Sequence, residues 1–307
     1  MTTAFITHAD CSLHDMGHYH PECPERLSAI EDQLIASGIA DFLDRYEAPL
    51  ATDEQLVRVH PQAFIDSIRA ASPEEGVVHL DPDTAMSPHT LDAALRASGA
   101  AVLATDLVVS GRAENAFCAV RPPGHHATRK RAMGFCFFNN VAVAAMHALE
   151  VHGLSRVAII DFDVHHGNGT EDIFSGDARV LMAGTFQHPY YPYSGTDHVA
   201  SNMSNVPLAA GTGGQGLRNA VEHVWMPALD AFRPEMIFIS AGFDAHVEDD
   251  MGALRFTEAD YAWVTREMKA LADRHSGGRM VSVLEGGYAL SALGRSVVAH
   301  IRAMATI

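Results

Sequence analysis

The stretch VAIIDFDVHHGNGT, residues 157–170, decides the fold that the sequence predicts. Its first four residues are apolar and mostly β-branched, which is typical of a short buried strand. Side chains two residues apart share a face of an extended chain, so Asp161, Asp163 and His165 are expected to point the same way. Ionised carboxylates at the mouth of a buried strand are costly unless a positive charge, such as a divalent metal, compensates them.

Strand-like and helix-like segments alternate along the whole chain. The strand candidates are residues 4–7, 116–120, 157–160, 180–185, 236–240 and 280–284. The helix candidates are residues 24–38, a helix that begins at a capping box of Thr52 and Gln55, and residues 87–111, 139–153, 216–232, 257–275 and 289–304. Strands separated by helices predict a mostly parallel sheet covered on both faces, in a single α/β domain.

The composition limits the class of protein and its partners. A net charge of −17, from 21 basic and 38 acidic residues, would repel a phosphate backbone and disfavours nucleic-acid binding. No apolar run approaches the ~18 residues of a membrane-spanning helix, and no signal peptide is evident at the N-terminus. The four cysteines lie far apart without a CxxC pair, so we expect a cytoplasmic protein without disulfides or cysteine-held zinc.

Chemically reactive side chains follow four of the predicted strands. In α/β folds, ligands bind outside the carboxyl ends of the strands. The motifs at these ends are RPPGHH at 121–126, DFDVHHGN at 161–168, AGFDAH at 241–246 and EGGY at 285–288. Four such motifs at equivalent positions predict one shared site.

Asp163, His165 and Asp244 form a candidate metal site. Three protein ligands leave positions for water and substrate, which is typical of a catalytic rather than a structural zinc ion. The oxygen-rich set also suits iron(II) or cobalt. A polar network at the strand end is the simpler alternative, but it leaves Asp161 and Asp244 unexplained.

The pair His125 and His126 follows two prolines and a glycine, and it is a candidate for proton transfer because imidazole titrates near neutral pH. Each ring needs a partner that sets its tautomer, and Asp161 and Asn168 are the natural candidates. Tyr288 follows two glycines and could aim its hydroxyl at a polarised carbonyl, with packing in the core as the alternative.

The motifs PPGHHA, DFDVHHGNGT, AGFDAH and LEGGY, in this order and spacing, resemble those of the histone deacetylase superfamily. That superfamily also contains acetylpolyamine amidohydrolases and acetoin-utilisation-type proteins. HPECPERL at 20–27 and MGFCFFNN at 133–140 match it as well, so the resemblance covers nearly the whole chain. HPECPER and Asn168 make the chain similar to the class II branch and its bacterial relatives.

The resemblance implies the arginase–deacetylase α/β fold in one catalytic domain over residues 1–307. It implies a hydrolase of N-acyl amides with one zinc ion on Asp163, His165 and Asp244. Amide hydrolysis requires a metal that lowers the pKa of bound water and hydrogen-bond donors that are already in place for the oxyanion. The implied activity therefore agrees with the chemistry of the motif residues.

The resemblance also implies roles for the remaining motif residues. His126 would be the general base, and His125, paired with Asp161, would stabilise charge and help to protonate the leaving amine. Tyr288 would polarise the scissile carbonyl and hold the oxyanion.

Further implied residues surround this centre. The acyl channel would be lined by Gly134, Phe135 and Tyr191, with Met251 at its rim, and Arg26 would face a cavity that releases acetate. A potassium ion would be held by backbone and side-chain atoms around the strand ends, at Asp161, Asp163, His165 and Thr185.

Two segments depart from the family pattern. Residues 184–187 read GTFQ where the family usually has Ser-Leu-His-Gln, which affects the potassium site and the nearby wall. Residues 246–252 are more acidic than usual, which predicts an altered entrance at which Asp249 and Asp250 could contact a cationic substrate.

Two other classes of protein are alternatives. Binuclear manganese ureohydrolases need further bridging carboxylates, and the corresponding positions here are His246 and Asn168. A non-catalytic acyl-amine binding protein would be expected to have lost a ligand, a histidine of the pair or the tyrosine, and none is missing.

The sequence leaves the substrate open among acetyl-lysine proteins, acetylated polyamines, small N-acyl amines and xenobiotic amides. The chain lacks obvious insertions for docking a protein, which favours small substrates. The oligomeric state is also open, a homo-oligomer included.

Overall fold

The computed structural model describes residues 2–307 of the chain. Its strands, numbered along the chain, are β1 Thr3–Thr7, β2 Leu43–Glu47, β3 Val78–Asp81, β4 Thr84–Met86, β5 Asn115–Cys118, β6 Val157–Asp161, β7 Val180–Gln187, β8 Met203–Leu208, β9 Met236–Ala241 and β10 Met280–Leu284. Eight of them form one sheet in the order β2-β1-β5-β10-β9-β6-β7-β8, and every neighbouring pair is parallel. β3 and β4 form a separate antiparallel hairpin.

Helices connect the parallel strands. They are α1 Glu25–Ala36, α2 Asp53–Leu56, α3 Gln62–Ala71, α4 Thr90–Val109, α5 Asn140–Glu150, α6 Asn168–Phe174, α7 Gly214–Ala220, α8 Met226–Phe232, α9 Glu258–His275 and α10 Leu290–Ala305. A π-helical turn, Val221–Trp225, joins α7 to α8. The helices flank the sheet in two groups, with α10 packed against α1 and α9, and α4 packed against α5.

Local chemistry explains where several helices begin. The predicted capping box of α2 is present: Gln55 N donates to Thr52 Oγ1 at 3.3 Å, and Thr52 N donates to Gln55 Oε1 at 2.9 Å. Asn139 Oδ1 accepts a hydrogen bond from Ala142 N at 3.0 Å and caps α5 in the same way. No helix within residues 2–307 is long and apolar enough to cross a membrane.

The core strands are buried on both faces, as expected for a parallel sheet between helices. Every residue of β6, β7, β9 and β10 is buried. The six predicted strands all belong to this sheet.

The strands that the sequence did not predict are the two edges of the sheet and the hairpin. β2, at one edge, buries only Leu43 fully, so its sequence carries no continuous apolar run. β8, at the other edge, contains Pro207, which removes a backbone donor and weakens the strand pattern.

The sheet order determines where the candidate site lies. β5, β10, β9 and β6 are adjacent in the middle of the sheet, and each of them is followed by one of the four reactive motifs. Parallel strands end at the same edge, so four segments that are far apart in sequence meet there.

Candidate active site

The side chains at this edge of the sheet form one buried cluster. Those exposed by 7% or less are His125, His126, Asp161, Asp163, His165, Asp244 and Glu285. The structure thus brings together residues of all four motifs that the sequence suggested for a shared site. Their arrangement divides into a group of possible metal ligands, a histidine pair and a turn that carries Tyr288.

Asp163, His165 and Asp244 turn their ligand atoms towards one another. His165 Nδ1 lies 3.0 Å from Asp163 Oδ1 and 3.2 Å from Asp244 Oδ2, and one ligand atom from each residue falls within a 4.8 Å group. Asp244 Oδ2 accepts no well-formed hydrogen bond from any residue in 2–307. A buried carboxylate oxygen without a donor, beside a second carboxylate and an imidazole, is a fitting ligand for a divalent cation. These three residues could therefore hold a metal ion.

The pKa values of these groups show how strongly they interact. Burial and the carboxylate of Asp163 raise the pKa of Asp244 to about 7. Burial alone would also raise the pKa of Asp163, but the positive charges of His125 and His165 outweigh it and lower that pKa. Burial would lower the pKa of His165, but the nearby carboxylates of Asp163 and Asp244 raise it to about 9. A divalent cation would favour ionised carboxylates and a neutral imidazole instead.

Backbone N–H groups orient the two carboxylates. Val164 N donates to Asp244 Oδ1 at 2.8 Å, and Gly286 N donates to Asp163 Oδ2 at 2.9 Å. This close approach requires glycine at position 286, because a Cβ atom there would lie 2.1 Å from Asp244 Oδ2. The EGGY turn is therefore packed directly against the possible metal ligands.

His125 and His126 have different partners and opposite charge preferences. His125 Nδ1 lies 2.9 Å from Asp161 Oδ2; burial would lower the pKa of His125, but the charges of Asp163 and Asp161 raise it well above its usual value. His126 Nδ1 lies 2.7 Å from Asn168 Oδ1. Burial, followed by the positive charge of His125, lowers the pKa of His126 well below its usual value. The pair thus combines a ring that favours the imidazolium form with a ring that stays neutral.

The turn after β10 places Tyr288 beside this pair, and Arg26 holds the turn from behind. Arg26 Nε donates to the carbonyl of Gly287 at 2.7 Å, and its guanidinium also donates to the carbonyl of Glu285. The guanidinium carbon lies 4.9 Å from the centre of the Tyr288 ring. Gly287 has a φ of +126°, which side-chain-bearing residues rarely adopt. The contacts of Arg26 are therefore this turn and Glu22, to which it donates at 2.9 Å, and its suggested part in acetate release stays a prediction.

A cavity of about 270 Å³ adjoins the cluster. Its lining contains all four residues that the sequence suggested for the channel and its rim: Gly134, Phe135, Tyr191 and Met251. It also contains His125, His126, His165 and Tyr288. The ring of Tyr191 lies 5.3 Å from that of His126, and the ring of Phe135 lies 6.0 Å from that of Tyr288, both edge to face. The cavity therefore ends on the reactive groups between two aromatic walls.

Four lining residues were not assigned to the cavity from the sequence: Asp83, Pro123, Tyr190 and Gly286. Asp83 lies in the turn between β3 and β4, and the only local signal was the turn pattern DPDT. The hydroxyl of Thr84 in the same hairpin accepts a hydrogen bond from Phe135 N at 3.0 Å. The hairpin thus supports one wall of the cavity.

The sequence suggested that Asp249 and Asp250 could contact a cationic substrate at the entrance. The structure places neither of them in the cavity lining. Asp249 is 5% exposed, and its carboxylate accepts hydrogen bonds from backbone N–H groups inside the protein. Asp250 is exposed and is not part of the cavity lining, whereas Met251 is. The rim of the cavity is therefore apolar at this point.

Two further groups of histidines and carboxylates have geometries that could hold a metal ion. In the first, Asp106 Oδ1 lies 2.8 Å from His147 Nε2 and 2.7 Å from His152 Nε2, and Arg58 contacts His147 Nδ1. These contacts satisfy the three side chains without a cation. The second group is His246, Glu248 and Glu258, and Arg295 donates to both of its glutamates.

His246 also bears on the binuclear alternative. It lies in that second group rather than beside the ligand atoms of Asp163, His165 and Asp244. Its Nδ1 accepts a hydrogen bond from Glu248 N at 3.1 Å. A second metal ion beside Asp163, His165 and Asp244 would therefore lack His246 as a ligand.

Comparisons with known proteins agree with the motifs. A family model described as "Histone deacetylase domain" matches residues 20–304. The histone deacetylase-like amidohydrolase of Pseudomonas aeruginosa is 38% identical over 276 residues, which cover 88% of this chain and 72% of that protein. A probable deacetylase of Archaeoglobus fulgidus is 37% identical over 301 residues, which cover 94% of this chain and 82% of that protein. The chain belongs to the histone deacetylase family.

Two further comparisons concern the fold and the range of relatives. The crystal structure of the HDA15 HD domain matches with a TM-score of 0.94 at 35% identity, covering 99% of this chain and 88% of that one. The polyamine deacetylase HDAC10 of Mus musculus is 36% identical over 331 residues, covering 99% of this chain and 48% of that protein. The predicted arginase–deacetylase α/β fold is confirmed, and so, at the level of the family, is the predicted class of enzyme, a hydrolase of amide bonds.

Glu285 is fully buried and contacts the backbone of the loop that carries the histidine pair. Its Oε2 accepts hydrogen bonds from Gly124 N at 2.7 Å and His125 N at 3.1 Å, and its Oε1 accepts one from Ser240 Oγ at 3.1 Å. Burial raises the pKa of Glu285 to about 7, from an ordinary value of 4.5. Glu285 therefore takes up a proton at a higher pH in the folded protein than an ordinary glutamate does.

We expect Glu285→Ala to destabilise the protein by at least about 3 kcal/mol, because it leaves three buried donors without an acceptor. Glu285→Gln keeps an acceptor and the shape of the neutral carboxyl. As the pH rises from about 4.5 through about 7, the free energy of unfolding of wild type should fall by up to about 3 kcal/mol relative to that of the glutamine variant. The reason is that the pKa of Glu285 is higher in the folded protein than in the unfolded chain. Urea unfolding at several pH values and equal metal content measures both effects. If Glu285→Ala and Glu285→Gln lost the same free energy of unfolding relative to wild type, Glu285 would not be needed as the acceptor of these hydrogen bonds.

Proposed function

We propose that the chain is a metal-dependent amidohydrolase that removes an acetyl or similarly small acyl group from an amine. One observation carries the proposal: the same cavity is lined by the histidine pair, by Tyr288 and by His165, and His165 belongs to the group of three possible metal ligands. The named activities of relatives, an amidohydrolase and several deacetylases, support the same reaction. Amide hydrolysis requires a water-activating base, a donor for the oxyanion and an acid for the leaving amine.

The three-ligand group would hold one divalent metal, and zinc is the family's usual choice. The ligands would be Asp163, His165 and Asp244, and the unpartnered Oδ2 of Asp244 supports this set. When bound, the metal would polarise the amide carbonyl and lower the pKa of water. Iron(II) or cobalt would suit the same ligands.

His126 would act as the general base. Asn168 offers a carbonyl oxygen to His126 Nδ1, so that nitrogen carries the proton and Nε2 is left free to accept one. The lowered pKa of His126, caused by burial and by the charge of His125, keeps the ring neutral before it takes the proton from water. The water oxygen would then form the new bond to the carbonyl carbon.

His125 and Tyr288 would stabilise the charge that develops. His125, whose Nδ1 lies 2.9 Å from Asp161 Oδ2, would help to protonate the amine as the carbon–nitrogen bond breaks. Burial raises the pKa of Tyr288 well above its usual value, so the phenol keeps its proton and would donate it as a hydrogen bond to the oxyanion. The products are a carboxylate and a free amine.

A potassium ion would complete the site near the ends of β6 and β7. The proposed ligands are atoms of Asp161, Asp163, His165 and Thr185. The hydroxyl of Thr185 supports this proposal because it is buried and, among residues 2–307, has no hydrogen-bond partner. Gly184, which faces Asp161 across the two strands, offers no side-chain oxygen of its own.

The substrate would be a small acylated amine or an acetylated lysine side chain. Phe135 and Tyr191 form aromatic walls that suit a slender acyl-amine chain, and the apolar Met251 lies at the rim. A polyamine deacetylase is among the relatives, so acetylated polyamines belong in the comparison. Asp83 is the acidic residue of the described cavity lining that could contact an amine.

We expect the protein to bind one divalent metal per chain and to require it for hydrolysis. Asp163→Ala and Asp244→Ala should each abolish binding, because removing one ligand also weakens the hold of the other two. Elemental analysis of dialysed protein measures the stoichiometry. Asp106→Ala, in the other histidine–aspartate group, is the matched control and should leave the value at one. Two tightly bound metals in wild type, or full activity after chelation, would refute the prediction.

Tyr288→Phe should lower kcat by about 10²–10³-fold, the usual effect of losing one oxyanion donor. Its metal content and thermal stability should stay close to those of wild type. Tyr261→Phe is the control: it removes a buried hydroxyl outside the cavity and should leave kcat unchanged. Near-normal turnover in Tyr288→Phe would show that this side chain only packs in the wall.

The activity itself is tested by a panel of acetyl-lysine peptides, acetylpolyamines and neutral N-acetyl amides on one purified sample. Wild type should favour uncharged or singly charged substrates, because Met251 offers dispersion contacts rather than charge at the rim. Met251→Glu should raise kcat/KM for acetylspermidine relative to a neutral amide, and Met251→Gln should not. A strong preference of wild type for acetylpolyamines, or an unchanged ratio in Met251→Glu, would show that Met251 does not control selectivity.

A further inference from the structure

Asp249 connects the cavity rim to the turn that carries Tyr288. It lies five residues beyond Asp244, in the loop between β9 and α9, and is 5% exposed. Its Oδ2 accepts hydrogen bonds from Tyr288 N at 2.6 Å and Ala289 N at 2.9 Å. Its Oδ1 accepts one from Met251 N at 2.9 Å. One buried carboxylate therefore satisfies three backbone donors from two loops.

Two of these three donors lie immediately before α10. Ala289 is the residue before α10, and its own side chain cannot cap the helix. The first N–H groups of a helix lack partners within it and favour a negative charge. Asp249 supplies that charge from another loop and at the same time holds the backbone of Tyr288. One side chain thus contacts both the start of α10 and the backbone of the tyrosine.

The turn is held between two charged groups. Arg26 donates to the carbonyls of Gly287 and Glu285, and Asp249 accepts from the N–H groups of Tyr288 and Ala289. The donors and acceptors of the turn backbone are therefore bound by groups of opposite charge. An oxyanion donor works only when its hydrogen sits where the charge develops, within about 0.5 Å. Holding the backbone on both sides fixes the phenol in that way.

We propose that Asp249 is a positioning residue of the hydrolytic reaction, holding Tyr288 through its main chain and fixing it relative to the rim at Met251. The proposal rests on the proposed function, because it assigns Tyr288 the oxyanion contact. Asp249 touches neither substrate nor metal in this role. Its effect on the reaction passes through Tyr288.

Asp249→Asn is the first test, since the amide has the same shape but must turn its NH2 group towards at least one backbone donor. We expect kcat for a neutral N-acetyl amide to fall at least tenfold while KM changes less than threefold and metal content stays unchanged. Asp249→Ala should lose more. Asp250→Asn makes the same charge change in the adjacent exposed residue, outside the cavity lining, and should leave kcat and KM unchanged.

A double mutant separates positioning from a general loss of structure. In a Tyr288→Phe background, Asp249→Asn should cause little further loss of kcat, because the contact it positions is already gone. Losses that multiply, or a tenfold fall in kcat that Asp250→Asn reproduces, would overturn the proposal. So would an unchanged kcat in Asp249→Asn.

A measurement without turnover keeps this test independent of the proposed activity. The chain has seven tyrosines, so selective ¹⁵N-tyrosine labelling gives few amide signals, and the signal lost in Tyr288→Phe identifies Tyr288. We expect that signal to move upfield in Asp249→Asn, as the charged hydrogen bond weakens, and not in Asp250→Asn. An unmoved signal would refute the positioning role. A wild type that hydrolyses none of the substrates would refute the proposed function, while the amide signal would still decide whether Asp249 holds Tyr288.

Discussion

The structure depends on the burial of several carboxylates at one edge of a parallel sheet. Asp161, Asp163, Asp244 and Glu285 all lie at the carboxyl ends of adjacent strands and are almost inaccessible to water. Desolvation of this kind is tolerated only where hydrogen bonds and positive charge replace water. Backbone N–H groups beyond the strand ends supply part of the compensation. The imidazole rings supply more, and a divalent cation would supply the rest.

That constraint explains how two adjacent histidines acquire different properties. His125 faces the carboxylate of Asp161, whereas His126 faces the amide of Asn168. The two partners offer the same kind of oxygen to the same ring atom but differ by a full negative charge. The charges of Asp163 and Asp161 raise the pKa of His125, and burial together with the charge of His125 lowers that of His126. The different roles that we propose for the two rings thus rest on the different charges of their surroundings.

The sequence predicts the buried part of this arrangement better than its surroundings. Strands such as β6 carry continuous apolar runs because both their faces are covered, whereas the edge strands β2 and β8 have no such run. The reactive residues are recognisable because each motif lies at or shortly after the end of a strand, and parallel strands end at the same edge of the sheet. The strand order β5-β10-β9-β6 cannot be read from local pattern, since it depends on how the connections cross.

Contacts between loops could not be predicted from the sequence either, because they also depend on the path of the chain in space. Asp249 and Asp250 are chemically identical neighbours, yet one is buried against the EGGY turn and the other is exposed. Only the path of the loop decides between them. Asp83 is a similar case, because its turn reaches the cavity from a hairpin outside the main sheet.

The N-terminal HPECPER segment shows the same constraint acting at longer range. Glu22 is fully buried, and the charges of Arg121, His14 and Arg26 outweigh the effect of burial and hold its pKa well below the usual value. Arg121 immediately precedes the loop of the histidine pair, and Arg26 grips the turn of Tyr288. A buried ion network contributes little net stability compared with apolar packing, but its geometry is strict. Through Arg121 and Arg26, the carboxylate of Glu22 links the loop of the histidine pair to the turn of Tyr288, the two segments that the proposed reaction brings to one carbonyl group.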